Sequence, residues 1–182
     1  MSKIIILRGN SASGKTTVAN ALRQKIGRGT FLIAQDTVRR EMLWVLDEPN
    51  NKSIGLLIDL VIYGNRHCEI TILEGILNSY MYLSLFKQIK ELYAENVHAY
   101  YFDLPFEETL RRHKIRKQTE EIGVREEEMK SWWREKDYLN IICEKMIGSD
   151  SSEKDIVEMI YKDIAINSFP SPNTHYNHLS GP

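Results

Sequence analysis

The sequence predicts a three-layer α/β/α domain built on a parallel sheet. Two observations lead there. Short runs of β-branched and aliphatic residues alternate with longer stretches of helical periodicity, the pattern of βαβ units. The first of these runs is apolar at every position, as a strand covered on both faces must be. A third observation sets the scale: at 182 residues, with no internal repeat and no interior linker, the chain is the size of one domain.

Taken in order, Ile4–Leu7 is the first strand, and a Gly/Ser-rich turn leads into a helix from Thr16 to Ile26, with Val18, Ala19, Leu22 and Ile26 on one face. Further strands are expected at Phe31–Ala34, Ile70–Leu73, His98–Phe102 and Lys145–Ile147. Between them the periodicity predicts helices over 37–47, 53–68, 78–95, 105–118, 126–140 and 152–166. Pro105 suits the first turn of its helix. Ser152 followed by Asp155 resembles a helix-start box, with Asp in place of Glu. Residues 167–182 hold three of the five prolines and no Lys, Arg, Asp or Glu, and read as a flexible tail after a domain spanning 1–166.

Composition narrows the partners. Lys and Arg total 24 against 25 Asp and Glu, a net charge of −1, which argues against a nucleic-acid coat or an anionic membrane. The apolar run near the N-terminus is too short to cross a bilayer. Cys68 and Cys143 belong to no ligand spacing, which points to a reducing, cytoplasmic setting. His67, His98 and His113 have no partner at ligand spacing and are read as structural.

The chemistry is concentrated in Gly9-Asn10-Ser11-Ala12-Ser13-Gly14-Lys15-Thr16, a full GxxxxGK[ST] match followed by Thr17. The glycines allow a tight turn whose N–H groups converge on phosphate oxygens. Lys15 brings charge to the β- and γ-phosphates, the Thr16 hydroxyl suits Mg²⁺, and the following helix N-terminus favours anions. The pattern therefore implies ATP and Mg²⁺ as cofactors.

A guanine-reading Asn-Lys-x-Asp is missing, because Asn51-Lys52 continues Ser53-Ile54, and the chain is too short for large motor architectures. Small kinases remain, and these supply positive charge from a lid. Residues PFEETLRRHKIRKQ after the fourth strand fit that part, with Arg112 and Arg116 one turn apart. The same residues also allow Glu107 and Glu108 to pair with Arg111 and Arg112 on a solvated face.

GNSASGKTT, the acidic strand end FLIAQD and PFEETLRRHKIR resemble P-loop kinases of the chloramphenicol phosphotransferase and zeta-toxin group and, more distantly, gluconate kinases. The resemblance covers about residues 3–165. It implies the P-loop NTPase fold, a five-stranded parallel sheet in the order 2-3-1-4-5 with a helical lid at about 112–130. It also implies that Asp36 accepts the proton of the attacking hydroxyl, a position that equally suits an N-cap. Lys15, Arg112 and Arg116 would stabilise the transferring phosphoryl. Arg39 and Arg40, one turn on, are candidates for an anionic substrate group. Glu74 ends the third strand where such proteins place an acid toward Mg²⁺-bound water or substrate. Gly148–Ser151 resembles an adenine-cradling loop, and Trp132 and Trp133 read as core or lid packing.

The expected activity is transfer of the ATP γ-phosphate to a hydroxyl of a small molecule, antibiotic-like or another metabolite. A nucleoside or nucleotide-sugar acceptor is the first alternative. An ATP-binding regulatory protein with little kinase activity is a rival of another class, and a polynucleotide-end kinase is disfavoured by the charge.

Overall fold

A computed structural model describes residues 2–117 and 126–165. Strands β1 (Lys3–Gly9), β2 (Phe31–Ala34), β3 (Ile70–Gly75), β4 (Val97–Phe102) and β5 (Glu144–Ile147) form one sheet in the order β2-β3-β1-β4-β5. Every pairing is parallel. Helices α1 (Lys15–Ile26), α2 (Ser53–His67), α3 (Leu83–Tyr93), α4 (Phe106–Lys117), α5 (Glu126–Trp132) and α6 (Glu153–Ala165) complete the domain.

The central strand explains the layers. Ile4 and Ile6 point to one face, where they join Leu57, Val61, Phe86 and Ile89 of α2 and α3. Ile5 and Leu7 point to the other, against Val18, Leu22, Ile156 and Ile160 of α1 and α6. All four are fully buried, because a period-two strand between two helical layers has no solvent side.

Helix starts follow local chemistry. The Pro105 carbonyl accepts the N–H groups of Glu108 and Thr109 at the head of α4. Ser152 Oγ accepts the Asp155 N–H at 3.2 Å, so the expected start of α6 is formed.

Three helices expected from periodicity are shorter than the pattern. The first, over 37–47, is a π-helical run of only Thr37–Met42. Trp44 then adopts a left-handed φ of 53°, and Pro49 disfavours helix in the residue before it. The expected 78–95 helix begins at Leu83, since Asn78 Oδ1 accepts the Tyr80 and Met81 N–H groups and builds a turn instead. The expected 126–140 helix stops at Trp132. Beyond it the backbone bonds to distant side chains, and Lys136 takes φ 49°. Tertiary contacts override periodicity there. The 167–182 tail and the centre of the lid, 118–125, lie outside the described residues.

Candidate active site

The carboxyl ends of the strands converge on one edge of the sheet, the edge where open α/β sheets bind ligands. Register places the parts: Gly9 stands beside Phe102, and Leu7 and Ala34 both flank Glu74. The loop after β1 turns at Gly9 (φ 142°), Ala12 (φ 60°) and Gly14 (φ 97°). A Cβ at Gly9 would stand 2.7 Å from the Phe102 carbonyl oxygen, so the close approach of two backbones requires glycine.

Lys15 is buried and curls back over the loop. Its Nζ donates to the Asn10 carbonyl at 2.7 Å and to Ser13 Oγ at 3.1 Å. Thr16, on the first turn of α1, donates its hydroxyl to Glu74 Oε2 at 3.1 Å. Glu74 is only 5% exposed, and burial raises its pKa against the opposing pull of the Lys15 charge and the Thr16 hydrogen bond. A hydroxyl and a buried carboxylate held together are oxygen donors suited to a hard cation or its waters. Among the described residues no three His, Cys, Asp or Glu side chains gather as an ion site, so Mg²⁺ here would rely on nucleotide phosphates as well.

Asp36 follows β2 and is engaged by both neighbouring arginines. Arg39 Nη2 donates to its carboxylate at 2.9 Å, and Arg40 Nε lies 3.4 Å away. Its backbone is already helical and its side chain caps nothing, so the capping role is not used. Arg39 is buried, also reaches the Val45 carbonyl, and keeps its Nε without a hydrogen-bond partner.

Arg112 is held on two sides. Nε pairs with Glu108 at 2.6 Å while Nη1 donates to the Ser13 carbonyl at 3.1 Å, which lays the guanidinium on the phosphate loop. Arg111 pairs with Glu108 in the open, and this double pairing pulls the Glu108 carboxyl down to about 2. Arg116 lies on α4, and its side chain is outside the described ones.

Two cavities flank this centre. One of about 460 Å³ is lined by Ala12, Ser13, Gly14, Thr17, Arg111, Arg112, Ser151 and Ser152, so the loop after β5 does approach the phosphate loop. The other, about 760 Å³, is lined by Arg39, Arg40, Leu46, Asp47, Ile76, Tyr80, Trp132 and Arg134. Asp47 is fixed there by Tyr82, whose hydroxyl donates to it at 2.6 Å and accepts from Gln35 Nε2 at 2.7 Å.

Sequence reasoning overlooked this second wall. Asp47 and Tyr82 carry no motif. Of the two tryptophans read as packing, Trp133 packs against Phe106 and Trp132 lines the cavity. Arg8 was also missed: a fully buried arginine inside β1 that binds Asp137 and Glu144 and so ties the segment after α5 to the sheet. A charge interrupting an otherwise apolar strand was its one available signal.

No protein-family model matches the chain, and no curated protein matches it in sequence. Solved structures do match in fold. The shikimate kinase from Acinetobacter baumannii, in complex with shikimate, superposes with a TM-score of 0.60 at 17% identity, covering 93% of this chain and 97% of that one. The tunicamycin resistance protein of Deinococcus radiodurans gives 0.60 at 16%, covering 90% and 96%. A chain of the Pnkp1/Rnl/Hen1 RNA repair complex gives 0.54 at 19%, where 71% of this chain spans 42% of that longer one. The fold is the P-loop NTPase fold, its sheet in the expected 2-3-1-4-5 order.

Proposed function

We propose that the protein is an ATP-dependent kinase that transfers the γ-phosphate to a hydroxyl of a small molecule. One observation carries the reading. Lys15, the Thr16–Glu74 pair and Arg112 converge on one glycine-bounded loop, with Asp36 just past β2 and paired to Arg39 and Arg40, which line a second cavity.

The division of labour follows from that geometry. The loop N–H groups and the head of α1 hold the phosphates, and the small cavity beside them takes the nucleoside portion. Lys15 leaves its protein acceptors for the phosphate oxygens, and Arg112 adds charge from the opposite side. Thr16 and Glu74 would hold Mg²⁺ directly or through its waters; when bound, that ion neutralises charge on the transferring phosphoryl. Asp36, oriented by Arg39 and Arg40, accepts the hydrogen of the attacking hydroxyl. In a loose phosphoryl transfer, orientation matters more than base strength. Residues about 112–130, including Arg116, act as the lid that excludes water.

The acceptor is a small hydroxylated metabolite or antibiotic-like compound in the larger cavity. A nucleoside or nucleotide-sugar acceptor is the second reading, favoured by Tyr80, Trp132 and Arg134 in one wall, where rings can stack and a cation can meet phosphate.

The test is ADP release from Mg·ATP across antibiotics, sugars, nucleosides and short oligonucleotides, beside Lys15→Ala. Stimulation by one class, lost by at least about 100-fold in the variant, supports the kinase and names its acceptor. Equal turnover in the variant refutes the phosphate-site assignment. Tight ATP binding with no stimulation by any compound favours the regulatory reading.

A further inference from the structure

The motif that defines the phosphate loop leaves its second position free, yet Asn10 is buried and its amide is spent at both ends. Nδ2 donates to the Arg134 carbonyl at 2.7 Å, and Oδ1 accepts the Arg134 N–H at 3.0 Å. This two-bond lock joins the loop to a residue 124 positions away. The Asn10 carbonyl meanwhile accepts Lys15 Nζ at 2.7 Å. The same residue therefore touches the lysine that must reach the phosphates and the backbone of a residue lining the larger cavity.

The segment that receives the lock is placed to carry a displacement. Trp132 lines the larger cavity, and Trp133 packs edge-on against Phe106 at 5.2 Å, at the head of the helix that bears Arg112. Three residues past Arg134, Asp137 is fixed by Arg8 and by Ser79. Movement at Arg134 is thus confined between two anchors, Asn10 and the Arg8 site. A phosphate entering the loop competes for the Lys15 ammonium and so changes the hydrogen bonding of the Asn10 peptide, to which the amide lock is attached.

We propose that Asn10 is a positioning residue that ties occupation of the phosphate loop to the placement of Arg134 and Trp132 in the wall of the acceptor cavity. The proposal rests on the nucleotide-binding part of the kinase reading. Nucleotide at one site and acceptor at the other then bias each other through a defined pair of hydrogen bonds rather than through the substrates' contact alone.

The experiment uses the full chain carrying Trp44→Phe, so that emission comes from Trp132 and Trp133. Mg·AMP-PNP is titrated, its Kd measured by calorimetry, and tryptophan emission followed in parallel. The parent protein should show an emission change that saturates with binding. Asn10→Ala should still bind, its Kd raised by no more than about tenfold because the loop N–H groups remain, yet at saturating nucleotide it should retain less than about a third of the emission change. Arg134→Ala, which keeps the backbone lock, should retain the change. Asn10→Asp preserves shape and loses one of the two bonds; it should respond partially, and it serves if the alanine variant does not fold. A full emission change in Asn10→Ala or Asn10→Asp overturns the proposal. So does a loss of nucleotide affinity beyond about tenfold in Asn10→Ala, which would put the amide on the phosphates. Binding by the parent with no emission change also overturns it. No binding by the parent would instead refute the kinase reading, and this coupling with it.

Discussion

Replacing Arg8 with methionine tests how the segment after α5 is held to the sheet. The guanidinium is fully buried and donates to the Asp137 carboxylate at 2.8 Å, to Glu144 at 3.1 Å and to the carbonyls of Leu77 and Asp137. It also lies 5.4 Å and 5.2 Å from the ring centroids of Phe86 and Tyr101. Methionine fills much of the space but leaves the Glu144 carboxylate, whose side chain is 1% exposed, without its counter-charge. Removing one partner of a buried pair costs about 3–5 kcal/mol, which for a chain of this size is a fall in Tm of about 10 °C. The loss should depend on pH. Burial already raises the Glu144 pKa, and Arg8 is the charge that pulls it back down. Without Arg8 the folded-state pKa climbs further, so the ionised carboxylate lowers stability as pH rises through that value. Protonation relieves the variant on the acid side. Urea denaturation of both proteins at about pH 8 and about pH 5 should therefore show a larger deficit at the higher pH. A deficit below about 1 kcal/mol, or one equal at both pH values, would refute the reasoning.

Glu74→Gln keeps the shape of the Thr16 partner but removes its charge. Turnover at a fixed acceptor should fall by about 100-fold, and the Mg²⁺ concentration for half-maximal rate should rise. Because burial raises the Glu74 pKa, the acid limb of kcat/KM in the parent should lie above that of an exposed carboxylate and should disappear in the variant. Gly9→Ala sets a methyl against the Phe102 carbonyl at 2.7 Å and imposes a strained φ of 142°; calorimetry should show loss of most nucleotide affinity, and unaltered binding would be inconsistent with the loop geometry. Tyr82→Phe leaves Asp47 and Gln35 without their shared buried hydroxyl. It should cost about 1–3 kcal/mol in urea denaturation and raise the acceptor KM more than it lowers kcat.

The fold was legible because its signals are local and repeated. Ile4–Leu7 announces a strand between two helical layers, and GxxxxGK[ST] places a turn and a helix directly after it. The register that brings Glu74 beside the loop follows once β1 and β3 are parallel neighbours. Periodicity misled where a long-range partner outbid the helix. Residues 133–140 were expected to continue the helix, yet the Arg134 backbone is claimed by Asn10, and the Asp137 side chain by Arg8.

What the sequence determined by itself was the loop after β1, with Lys15 and Thr16, all within one contiguous stretch whose geometry is dictated by residue type. Tertiary structure assembled the larger cavity, of whose lining only Arg39 and Arg40 were candidates from sequence. Arg39, Asp47, Tyr80, Trp132 and Arg134 come from segments far apart in the chain, and neither spacing nor composition links them. The physical reason is the difference between the two kinds of site. Phosphate is bound largely by backbone N–H groups, whose arrangement a short motif can specify, whereas an acceptor cavity is shaped by side chains that meet only after the sheet has formed.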